Sequence, residues 1–212
     1  MLFYNDADAN LKFKFALGGV ILNMNFEKGF VLDFNMQTGL SQNAQSTKRA
    51  LSQMKGMYVD DAAFEKLVAA GDPLVYEFYE IGAPEDAGDI APGTSIVFPG
   101  KVGNEYFMTK GHFHTIVDTA EVYYCLSGEG YMLTENLAGD CVAHKLYAGA
   151  MVYVPKGYAH RSINTGDVPL VTFFAFRGDA GHDYGTIEEK GFRKLIIEEN
   201  GKAVIVDNPK WG

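Results

Sequence analysis

From Pro73 onward the chain is one short apolar run after another, and this pattern limits the fold more than any other feature. Leu74–Ile81, Thr94–Phe98, Tyr106–Thr109, Val122–Leu126, Gly130–Thr134, Cys141–Leu146, Met151–Val154 and Leu170–Phe176 are rich in β-branched and aromatic residues. Gly, Pro, Asn or Asp separates them. Such side chains suit a pleated, half-buried surface, and such separators supply turns. Short runs at even spacing point to a sandwich or barrel. The tail adds Lys194–Glu198 and Ala203–Val206 around Glu199-Asn200-Gly201-Lys202. Asn-Gly between two apolar runs predicts a type I′ hairpin.

Upstream of Pro73 the pattern changes. Residues 1 to about 25 alternate loosely (Leu11, Phe13, Phe15, Leu17) and read as a strand or hairpin. Ser46 to Met54 reads as a modest amphipathic helix. Asp60 to Ala70 reads as a better one: Asp60 caps it, Phe64, Leu67 and Val68 share a face, and Gly71 follows the end. No repeat, linker or low-complexity run divides the 212 residues. The expectation is a single domain over 1–212 with an N-terminal strand-and-helix extension over about 1–72.

The formal net charge of −9 argues against a nucleic-acid partner, which needs a basic footprint, but leaves room for a small phosphorylated ligand met by local donors. Cys125 and Cys141 form no CxxC pair, and so few cysteines suit a reducing cytoplasm, where they pack as small apolar groups. The apolar patch from Phe13 to Leu22 follows Asp6 and Asp8 instead of a basic region. Neither a signal peptide nor a membrane span is read there.

Three of the five histidines carry the chemistry. In His112-Phe113-His114 the two imidazoles are two residues apart, so on an extended chain both point to one side. Glu121 follows beyond the loop Thr115–Ala120, and His160 lies past a turn marked by Pro155 and Gly157. HxH alone fits one buried and one exposed histidine equally well. Three imidazoles and a carboxylate together suit Fe²⁺, Mn²⁺, Ni²⁺ or Zn²⁺, and an octahedral ion would keep two positions free. His144, in a strand-like run without partner motif, reads as structural.

The blocks His112-x-His114-x₆-Glu121-x₆-Gly128 and Gly149-x₅-Pro155-x-Gly157-x₂-His160-x₃-Asn164 resemble the paired motifs of the cupin superfamily. Further stretches narrow the resemblance. They are Pro99-Gly100-Lys101-Val102-Gly103, Thr109-Lys110-Gly111-His112-Phe113-His114, Asp179-Ala180-Gly181-His182-Asp183-Tyr184-Gly185-Thr186-Ile187 and Val206-Asp207-Asn208-Pro209-Lys210-Trp211. Over roughly residues 50 to 212 the chain is similar to the cupin-type phosphoglucose isomerases known mainly from archaea. The resemblance implies an all-β jelly-roll barrel (a double-stranded β-helix) with a few short N-terminal helices. It also implies a homodimer, with the N-terminal strands at its interface, acting on a sugar phosphate in glycolysis and gluconeogenesis.

Carried over by position, His112, His114, Glu121 and His160 match the metal ligands, with one divalent ion per subunit and Fe²⁺ favoured. Glu121, Tyr123 and His182 match catalytic side chains; Ser95, Thr109, Gly111 and Tyr184 match substrate contacts. Phe176-Arg177 stands where relatives have Tyr-Pro, so Arg177 is either a replacement phosphate donor or a solvated surface arginine. Glu121 is read as the base for the C2 proton, with a metal-assisted hydride shift as the rival. Three other functions fit the same motifs: a mannose 6-phosphate or dual-epimer isomerase, a non-catalytic sugar-phosphate binder, and a metal-dependent dioxygenase.

Overall fold

The computed structural model of the protein describes residues 26–41, 44–80 and 82–211. The strand or hairpin expected in the first 25 residues lies outside them. Contacts divide the chain between Val31 and Leu32, and everything below concerns the second unit, Leu32–Gly212.

Thirteen strands carry this unit: β1 Gln45–Ala50, β2 Leu74–Glu80, β3 Ile90–Val97, β4 Lys101–Val102, β5 Glu105–Tyr106, β6 Glu121–Ser127, β7 Glu129–Asn136, β8 Cys141–Tyr147, β9 Met151–Val154, β10 Tyr158–Asn164, β11 Leu170–Arg177, β12 Lys194–Glu199 and β13 Lys202–Asp207. Among the described residues, two helices, α1 Asp61–Ala69 and α2 Gly185–Lys190, and two short 3₁₀ turns accompany these strands. The strands form sheets in the orders β1-β2-β3-β11-β6-β9, β10-β7-β8 and β13-β12-β5-β4. Every pairing is antiparallel. The first two sheets face each other: the Tyr123 ring of β6 lies 5.4 Å from His160 of β10, and both sheets feed one apolar core. This is the expected all-β jelly-roll arrangement, and its inner space holds the site.

Helix α1 follows the sequence closely. The Asp60 carboxylate accepts from the Ala63 amide at 2.9 Å, Phe64 is the buried contact, and Gly71 follows with φ of +147°. Removing this cap in Asp60→Ala should cost about 1 kcal/mol, seen as a melting point about 2–4 °C lower. The helix expected over Ser46–Met54 is not formed. Residues 45–50 pair instead along β2, from Gln45 opposite Glu80 to Ala50 opposite Leu74, and only Leu51–Met54 coils, as a 3₁₀ turn. Leu51 and Met54, both fully buried, lie three apart. That spacing imitates one face of a helix, while the unpaired ladder of β2 claims the preceding backbone.

The hairpin β12–β13 turns through Asn200 and Gly201 with φ of +53° and +74°, the two left-handed residues a type I′ turn requires. Asn164, fully buried at the end of β10, donates to the carbonyls of Val97 and Val168 and accepts from the Gly166 amide. Its side chain thereby fixes the end of β10 against β3.

Candidate active site

The HxH segment is extended but lies outside any named strand. Its backbone makes isolated antiparallel bridges, His112 to His160 and Phe113 to Asp183. The alternation expected of a strand survives: Phe113 enters the core, and the two imidazoles turn toward the inner space. Glu121 opens β6 opposite Phe176 and Val154, and His160 is the third residue of β10. One ligand atom from each of His112, His114, Glu121 and His160 lies within 4.8 Å of all the others.

The hydrogen bonding around these atoms calls for a cation. His114 Nδ1 faces the Thr119 carbonyl at 3.2 Å, and a carbonyl only accepts, so Nδ1 carries the hydrogen. Nε2 then presents a lone pair to Glu121 Oε2, itself an acceptor, 3.1 Å away. His160 Nε2 comes within 2.9 Å of the same oxygen without hydrogen-bond alignment, and buried His112 Nε2 has no partner. Lone pairs gathered on one point in a buried space cost free energy until a proton or metal ion lies between them. Burial, then the neighbouring His160, holds His112 well below the ordinary imidazole range, so it is neutral and ready to ligate. Burial opposes ionisation of Glu121, but the pull of His160 and the contacts from both imidazoles win and keep the carboxyl below its usual value. The four residues fit a metal ion.

This cluster opens onto a pocket between the two facing sheets, and six other residues singled out in the sequence meet there. Ser95 comes from β3 and Tyr123 from β6. Thr109 accepts from the Ser162 amide through its hydroxyl at 3.1 Å, and Gly111 turns the chain with φ of +74°. The His182 ring lies 4.4 Å from His112 and is stacked on Tyr184 at 6.0 Å. Burial raises the Tyr123 phenol well above its ordinary value, with Glu121 adding to the effect, and burial lowers His182.

Arg177 is not among the pocket residues; it pairs with Asp179 at the end of β11. His144 bonds Thr134 at 3.0 Å on the β7–β8 side, in keeping with a structural role. Cys125 and Cys141 are both free thiols, the first buried and the second half-buried.

Several pocket residues escaped the sequence reading. Tyr76, Phe78 and Glu80 line it from β2, and Phe174 from β11 beside the already noted Phe176. Their period-2 spacing was legible, but nothing in the sequence says which face of β2 looks inward. Arg161 was missed as well. It is 1% exposed, stacks on Phe192 with 4.7 Å to the ring centre, and donates through Nε and Nη2 to the Lys110 carbonyl at 3.1 and 2.5 Å. It thus braces the segment that carries Thr109 and Gly111.

Three comparisons bear on these residues. The family model described as Glucose-6-phosphate isomerase (GPI) matches residues 48–211. The glucose-6-phosphate isomerase of Thermococcus litoralis is 49% identical over 188 residues, covering 89% of this chain and 99% of that protein. Those of Pyrococcus furiosus and Pyrococcus abyssi are 46% and 48% identical, over 88% and 86% of this chain and 98% and 96% of their own length. Among solved structures, a mutant of Bacillus subtilis oxalate decarboxylase aligns with a TM-score of 0.39 at 27% identity, over 50% of this chain and 26% of that chain.

Proposed function

Because the chain belongs to the glucose-6-phosphate isomerase family, we propose that it interconverts glucose 6-phosphate and fructose 6-phosphate with one divalent ion held by His112, His114, Glu121 and His160. The observation that carries this reading is that four converging ligand atoms open onto the pocket that also holds Ser95, Thr109, Gly111, Tyr123, His182 and Tyr184. When bound, the ion supplies Lewis-acid polarisation of the oxygens on C1 and C2.

The remaining work falls to the chain's own groups. The Thr109 hydroxyl already accepts from Ser162, so its hydrogen is free for a phosphate oxygen, with Ser95 and the Gly111 amide as further donors. Tyr123, its phenol raised by burial, stays protonated and donates to a sugar oxygen. His182, lowered by burial, is neutral and accepts from a sugar hydroxyl. Glu121 removes the proton on C2, giving a cis-enediol that is reprotonated on C1. We read the enzyme as a cytoplasmic homodimer serving glycolysis and gluconeogenesis. Among the described residues no helix is long and apolar enough to cross a membrane.

The test is a coupled fructose 6-phosphate assay on chelator-stripped protein, with Fe²⁺, Mn²⁺, Ni²⁺ and Zn²⁺ returned one at a time. Activity should vanish on stripping and return best with Fe²⁺. Protein that rebinds metal and leaves fructose 6-phosphate untouched overturns the reading, and a parallel assay on mannose 6-phosphate shows whether the other epimer is the substrate. Run in D₂O, the reaction should place deuterium at the transferred position; product without it assigns a hydride shift instead.

A further inference from the structure

The register of the six-stranded sheet sets levels inside the pocket. Glu121 lies across from Phe176, which lies across from Ala91. The next inward-facing row aligns Tyr123, Phe174, Gly93 and Glu80. The row beyond aligns Thr172, Ser95 and Phe78, and Tyr76 opposite Val97 follows. Successive rows on one face are about 7 Å apart. In the isomerase reading, C1 and C2 lie beside Glu121 and the phosphate lies toward Ser95. The ring oxygen, bonded to C1, then lies between the Glu121 row and the level of the Glu80 side chain, which lines the same pocket.

Glu80 suits an acid at that level. It lines the pocket, is half-buried, and has no hydrogen-bond or ion-pair partner among the described residues. Its opposite number, Gly93, has no side chain, and the Phe174 ring lies over it so closely that a Cβ there would come within 2.4 Å of the ring. Phe78 and Phe176 also line the pocket. Burial raises the Glu80 carboxyl above its ordinary value.

A hexose phosphate arrives mainly as a closed ring and must open before C1 and C2 can exchange a hydrogen. We propose that Glu80 opens it. The carboxylic acid gives its proton to the ring oxygen O5 as the C1–O5 bond breaks with its electron pair going to O5. The proton on O1 leaves to water, the C1 carbonyl forms, and solvent returns a proton to Glu80. Ring closure of the product is the corresponding reaction at C2: O5 bonds to the C2 carbonyl carbon, its proton passes to the Glu80 carboxylate, and O2 takes a proton from water. The inference rests on the isomerase reading and adds a separate step to it.

Exchange NMR on glucose 6-phosphate reads that step directly, as interconversion of α and β anomers catalysed by the metal-loaded protein. Glu80→Gln should slow catalysed anomer exchange by on the order of 10²-fold and reduce isomerisation with it, at an unchanged melting point. Glu80→Asp, which keeps the acid, should recover part of both. A Gln variant that exchanges anomers at the wild-type rate overturns the proposal, whether or not it still isomerises. A wild-type protein that exchanges anomers through Glu80 without isomerising supports the proposal and sinks the isomerase reading; one that does neither sinks both.

Discussion

Glu121→Gln should leave the fold intact and lower fructose 6-phosphate turnover by about 10³-fold. The substitution keeps a side-chain oxygen where Oε2 now lies 3.1 Å from His114 Nε2 and 2.9 Å from His160 Nε2. It removes the negative charge that makes three crowded imidazoles tolerable beside a cation and, in the proposed mechanism, it removes the base. Loss of a single charge-stabilising donor costs about 10²–10³-fold, and loss of the base adds to that. Measuring bound metal alongside turnover separates the two losses. Full metal with turnover down about 10³-fold assigns the base to Glu121. Full metal with turnover near wild type means the carboxylate only holds the ion. His160→Ala should instead lose metal and activity together.

Gly111→Ala should be the most damaging single methyl in the site. At φ of +74° any side chain is strained, and here a Cβ would come within 2.7 Å of Phe192 and 2.9 Å of the His160 carbonyl. Neither side can yield easily. The His160 carbonyl accepts from the His112 amide at 3.3 Å, and the Lys110 carbonyl is held by Arg161 from behind. Strain and overpacking together should cost about 3 kcal/mol, a melting point lower by about 6–12 °C. Gly56→Ala is the control. It has a similar φ of +80° with nothing within 4 Å, so it should lose only about 1 kcal/mol. Equal losses at the two positions would show that backbone strain alone decides, and that the contacts around Gly111 are slack.

The barrel and the convergence of His112, His114, Glu121 and His160 were legible because each rests on a local signal. Met151–Val154 ends where its run ends, and Glu121 begins its strand as the pattern requires. What was hidden depends on tertiary partners. Strand β10 reads Tyr-Ala-His-Arg-Ser-Ile-Asn, too polar to announce a buried strand. Yet His160, Arg161, Ser162 and Asn164 are all at most 3% exposed, because each finds a partner that lies far off in sequence or faces the cluster. Strands β4 and β5 are two residues each and offer no period at all. Helix α2 is only six residues long and begins on Gly185, too short for a helical period to show. The inward turn of Glu80 could not be read either, since it follows from pairing with Gly93 across the sheet.

The division of labour among strands bears on how such a site can change. Strand β10 serves two masters: His160 points to the cluster with His112, His114 and Glu121, while Arg161 next to it braces the Lys110 carbonyl. On the proposed reading, any drift there would be felt at both ends of the sugar at once, so β10 can vary little. Strand β2 contributes three side chains to the pocket wall and none to the ligand set. On the proposed reading, selection or an engineer could therefore reshape this wall of the pocket from Tyr76 and Phe78, trying one sugar after another, while the groups that act at C1 and C2 are kept.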